Sequence, residues 1–76
     1  MTLDKLLPPS RCRVLAASED NPELRSRLYA LGLYPGVELE VLRRAPAGDP
    51  TQIRIGSTLL SIRARDARLI AVEALP

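Results

Sequence analysis

The sequence predicts a mainly β protein: a small five-stranded barrel with one inserted helix at about residues 22–31 and a short helical turn at the N-terminus. Three observations carry this. Short stretches with inward apolar and outward polar residues recur along the chain. Gly- and Pro-containing turns separate most of them. One stretch alone switches to helical spacing, opening at Asn21-Pro22-Glu23 and closing at Gly32. Seventy-six residues, read as one domain over 1–76, are too few for two layers of sheet, so a sheet closed on itself both encloses a core and removes most exposed edges.

The N-terminal segment has Thr2 as N-cap candidate and Leu3, Leu6 and Leu7 as apolar positions, a single helical turn stopped by Pro8-Pro9 that plugs one end of the core. From Arg11 to Ala16 the chain alternates, with Cys12, Val14 and Ala16 facing inward. Ser18 to Asn21 is a polar loop. In the helix, Leu24, Leu28 and Leu31 form one narrow stripe at i, i+4 and i+7, and Gly32 takes the position past the end where a positive φ is required. Arg25 and Ser26 point to water. Arg27, at i+3 from Leu24, flanks the stripe, its stem packing and its head either tying the helix to a loop, the favoured reading, or meeting a ligand.

Pro35 and Gly36 fit positions i+1 and i+2 of a type II turn that leads into a strand from Val37 to Arg44, the longest expected, with Val37, Leu39 and Val41 inward and Glu38 and Glu40 outward. Leu31, Leu33 and Tyr34 cluster beside this rigid turn. Either they close the end of the barrel or they form an apolar patch for a partner. Ala45 to Pro50, with Pro46, Gly48, Asp49 and Pro50, is a turn. It has no relation to the GxxxxGK[ST] pattern of a phosphate-binding loop. A hairpin follows, Thr51 to Ile55 and Thr58 to Ile62 about Gly56-Ser57. Arg63 to Arg68 is a short turn burying Ala67, and Leu69 to Glu73 is the last strand, with Ile70 and Val72 inward.

Composition narrows the functional classes. An apolar fraction of 46% with 26% charged residues describes a folded domain. The 11 basic and 9 acidic residues are interspersed, so no nucleic-acid tail is present, although ten of the basic residues are arginine. The single cysteine, Cys12, has no disulfide partner and faces inward, and no signal-peptide pattern precedes it, which makes the cytoplasm the default compartment. No apolar run approaches the ~18 residues of a membrane span, so any link to a membrane runs through another protein. With no histidine and only an inward-facing thiol to offer, the chain is a poor candidate for acid–base or nucleophilic catalysis and is read as a non-enzyme without a cofactor.

The architecture fits an SH3-like barrel with a helix inserted after the first strand. Four elements occur in order: LxxL near the start, RLxxLGLxPG over Arg27 to Gly36, AP-x-GDP over Ala45 to Pro50, and IR-x-R-x-A-x-x-I over Ile62 to Ile70. In their joint spacing, which spans nearly the whole chain, the sequence resembles the FeoA family of ferrous iron transport proteins. Ser10 departs from the pattern, which often has glycine there. The resemblance implies an SH3-like cytosolic accessory protein that docks on the ferrous iron permease FeoB, a membrane protein with a cytosolic G-domain, or on its own copies.

The surface offered to such a partner would be Leu31, Leu33, Tyr34 and Pro35, with Arg27 at the rim, while Gly32, Gly36, Pro46, Gly48, Asp49 and Pro50 hold the turns of the family pattern. Two other classes compete. A small barrel can bind RNA, but two tyrosines and no other aromatic residue make a poor stacking platform. A metal-responsive module needs converging ligands. Glu38 and Glu40 share one strand face and are the candidates, with solvated surface the favoured reading.

Overall fold

The computed structural model describes residues 1–76. Five strands form one antiparallel sheet: β1 (Ser10–Ala17), β2 (Glu38–Arg44), β3 (Thr51–Ile55), β4 (Thr58–Ile62) and β5 (Ile70–Leu75), in the order β4-β3-β2-β1-β5. Helix α1 (Pro22–Ala30) lies between β1 and β2, and a four-residue helix α2 (Ala64–Ala67) links the two edge strands β4 and β5. The hydrogen-bonded ladder therefore does not close from β4 to β5. The outer edge of β5 is instead met by the N-terminus, where Thr2 bridges Ala71 and the Val72 N–H donates to the Met1 carbonyl at 2.9 Å.

A single cluster of 15 buried apolar side chains fills the interior, with Leu3, Leu33, Ile53 and Ile70 among its fully enclosed members. Leu3, in the N-terminal 3-10 turn (Leu3–Lys5), and Leu6, which caps that turn, enter the core, as a plug should; Leu7 is 75% exposed. Arg44 fastens this plug, its guanidinium donating to the Leu6 carbonyl at 2.9 Å and to the Asp4 carbonyl.

Several element boundaries and faces differ from those the alternation predicts. Between Val14 and Ala16 the β1–β5 register slips, and a bulge turns Ala17, not Ala16, into the core. A second slip lies between Val41 and Arg43 in β2. The longest strand is β1 at 8 residues, not β2 at 7, because β1 also takes in Ser10 and Ala17 while Val37 belongs to the turn that precedes β2. The expected turn at Arg63 to Arg68 contains α2, and Ala67 is buried as foreseen. The β3–β4 hairpin has the expected limits, with Ile55 facing Thr58 across Gly56-Ser57.

Candidate functional site

Helix α1 begins as its sequence dictates. Asn21 accepts the Leu24 N–H through Oδ1 at 3.1 Å, and Pro22 occupies the first turn, where its missing N–H costs nothing. It ends in a Schellman motif: the Gly32 N–H donates to Tyr29 at 3.0 Å and the Leu33 N–H to Leu28 at 2.9 Å, with Gly32 at φ 98°. This motif folds the second residue past the helix end back onto the helix, and Leu28 and Leu33 accordingly both join the core. The Val37 N–H then donates to the Tyr34 carbonyl at 3.2 Å, closing the type II turn with Gly36 at φ 95°.

Two successive rigid turns thus decide which side chains the connection buries and which it displays. Leu33 has no exposed surface, which removes it from the candidate partner surface and assigns it to closing the barrel. Leu31, predicted to continue the buried stripe, is the C-cap of α1 and stays 48% exposed; Tyr34 is 50% exposed and Pro35 is exposed beside it. The arginines exchange roles. Arg25 is the half-buried one and donates to the Glu19 carbonyl at 3.4 Å, whereas Arg27 is exposed without an ion pair or side-chain hydrogen bond.

The turn from Ala45 to Pro50 is built as expected, with the Gly48 N–H donating to Ala45 at 2.7 Å and the Ala45 N–H to Pro50 at 3.0 Å. Sequence reasoning missed what Asp49 does: its Oδ1 accepts the Ala64 N–H at 3.0 Å, so this turn anchors the start of α2. No local pattern reveals the bond, because its partners lie on different elements.

On the outer sheet face, Glu38 pairs with Arg11 at 3.3 Å and Arg13 at 3.0 Å, Arg13 also reaches Glu73 at 3.1 Å, and Glu40 pairs with Arg54 at 2.8 Å. Both carboxylates proposed as metal candidates are therefore engaged by guanidinium groups, and no group of three His, Cys, Asp or Glu side chains converges elsewhere. Beneath this face Cys12 is fully buried, and desolvation pushes its thiol up to about 11, which keeps it protonated at neutral pH and a weak nucleophile.

The chain is a small SH3-like domain that carries an exposed apolar cluster on a rigid corner. Residues 1–74 match the FeoA domain, and the chain belongs to the FeoA family, whose members are implicated in ferrous iron transport and are not known enzymes. It superposes on the solution structure of the FeoA protein of Chlorobium tepidum with a TM-score of 0.90 and 38% identity, over 100% of this chain and 71% of that one. Iron(II) transport protein A of Clostridium thermocellum gives a TM-score of 0.89 and 36% identity, over 99% of this chain and 46% of the other. FeoA of Stenotrophomonas maltophilia, a prokaryotic SH3 domain protein crystallised with zinc, gives 0.82 and 26%, over 96% and 89% of the two chains. No helix is long and apolar enough to cross a membrane.

Proposed function

We propose that this protein is a cytosolic accessory factor of ferrous iron uptake that acts by docking on a FeoB-type permease, at its cytosolic G-domain region, and modulates transport without chemistry of its own. The observation that carries this reading is the exposed set Leu31, Tyr34 and Pro35, held on two hydrogen-bonded turns above the buried Leu33. Large apolar side chains on a preorganised corner bind with little ordering cost, and the unpaired Arg27 beside them supplies orientation and salt-dependent association. Family membership supports the transport context.

The metal-responsive alternative draws no support from Glu38 and Glu40, since a metal there would have to displace three arginines. Co-purification with the cytosolic region of the permease, with and without guanine nucleotide, tests the proposal. Retention of the wild-type chain and loss of the Leu31→Glu/Tyr34→Glu variant is expected. Equal retention of a folded variant would remove the proposed surface.

A further inference from the structure

On the side of α1 that faces α2, an open groove runs between the two helices and the end of β4. Its floor is apolar: Leu24 and Leu28 of α1 and Ile62 of β4 expose their edges, and the half-exposed Leu31 forms one lip. Its rim is cationic. Arg27 rises from α1, Arg63 and Arg65 from the α2 side, and all three are exposed. None of them makes an ion pair or a side-chain hydrogen bond, although Asp66 also lines the groove. Arg68, likewise unpaired, stands beside Arg63 and Arg65 at the neighbouring surface by Asp49.

On the outer sheet face Arg11, Arg13 and Arg54 are paired with glutamates of the same chain, while Arg43 there is unpaired but has no apolar groove beside it; the α1–α2 groove is set apart by three unpaired arginines around one apolar floor. Three exposed guanidinium groups around an apolar strip leave a complementary ligand defined by two properties: apolar anchors for the floor and carboxylates for the rim. We infer that the α1–α2 groove is the docking site for an acidic amphipathic segment of a protein partner, whose apolar side chains lie along Leu24, Leu28, Leu31 and Ile62 while its carboxylates pair with Arg27, Arg63 and Arg65. The assignment deepens the binding-module reading by naming the chemistry of the partner segment, and adds α2 to the surface. Single-stranded nucleic acid fits less well, because the floor holds no aromatic side chain on which a base could stack.

Two synthetic helical probes test the inference without the permease, so its failure leaves the permease reading standing, and the reverse also holds. One is a 16-residue peptide with Leu at i, i+3, i+4 and i+7 and Glu on the flanking positions; the other carries Lys at every Glu. Each is titrated into the isotope-labelled full chain at low and moderate salt, followed by amide NMR shifts. The acidic peptide is expected to bind about tenfold or more tightly than the basic one, weaken as salt rises, and shift the amides of Leu28, Leu31, Ile62 and Arg65. The Arg63→Glu/Arg65→Glu variant, both sites being exposed, should remain folded and lose the preference. Equal affinity for the two peptides, shifts confined to another face, or an unchanged preference in the double variant would overturn the assignment. So would tighter binding of a 16-nucleotide RNA at the same arginines.

Discussion

The outer sheet face and the α1–α2 end of the barrel carry the same cation in opposite conditions. Across β1, β2, β3 and β5, Arg11, Arg13 and Arg54 are neutralised by Glu38, Glu40 and Glu73, set by cross-strand register: Arg13 lies opposite Glu38 on one side and Glu73 on the other, and Arg54 opposite Glu40. At the other end, Arg27, Arg63 and Arg65 around Leu31, and Arg68 nearby, are exposed and form no ion pair, although Asp66 and Asp49 line the same surfaces. The first arrangement satisfies itself and gives a partner little to gain. The second is open to one. Arginine content alone does not distinguish them; register and neighbours do.

The largest effect expected from breaking this contrast lies under the helix end. Leu33→Ala removes a fully enclosed side chain and should destabilise the fold by about 2–5 kcal/mol in a denaturant titration, whereas Leu31→Ala, at a half-exposed position, should cost about 0.5 kcal/mol or less. Comparable losses would mean that Leu31 is part of the core and not displayed.

A pH effect of about 2 kcal/mol is expected beneath the neutralised face. The Cys12 thiol ionises near 9.0 when unfolded and about 11 when buried, so above pH 9 the unfolded state has released a proton that the folded state still holds. Stability contributed by the neutral thiol is full below pH 9 and declines as pH rises towards 11. Urea midpoints across that range should fall for the wild type and fall less for Cys12→Ala. Parallel profiles would show that the thiol is not desolvated.

A smaller change, about 1 kcal/mol, is expected for Asp49→Ala, which strips the acceptor from the Ala64 N–H. Because α2 carries Arg65 and adjoins Arg63 and Arg68, hydrogen exchange at Ala67 and Arg68 should rise more than at Cys12. A uniform increase would place the loss elsewhere. The smallest effect belongs to Glu38→Gln: its two guanidinium partners are substantially exposed, so about 0.2–1 kcal/mol at low salt, shrinking as salt rises, is the range expected.

Much of the molecule was legible because its signals are local. The β3–β4 hairpin follows from alternation about Gly56-Ser57, and the start of α1 from Asn21-Pro22. The bulges that bring Ala17 inward and displace Arg43 were not, since a period-2 pattern carries no mark of an extra residue. The Leu31 and Leu33 reversal lies between these cases. A helical stripe continued at the same spacing buries Leu31, but the apolar residue after Gly32 is itself the Schellman signature and points to Leu33 as the one that returns to Leu28. Asp49 and Arg44 act on residues 15 and about 40 positions away, and only the assembled fold reveals them. The family resemblance was readable because the four motifs that carry it are strings of sequence whose spacing does not depend on strand register, and the FeoA domain match over residues 1–74 bears it out.

The central claim, that the displayed corner and not the neutralised sheet is the partner surface, is tested most directly by calorimetric titration of the cytosolic region of a FeoB-type permease. Wild type, the Leu31→Glu/Tyr34→Glu variant and Arg11→Glu would be compared after each is verified as folded. The corner variant should lose about tenfold or more in affinity while Arg11→Glu stays within about twofold of wild type. Loss in Arg11→Glu with the corner variant unaffected, or no binding by wild type, would contradict the account.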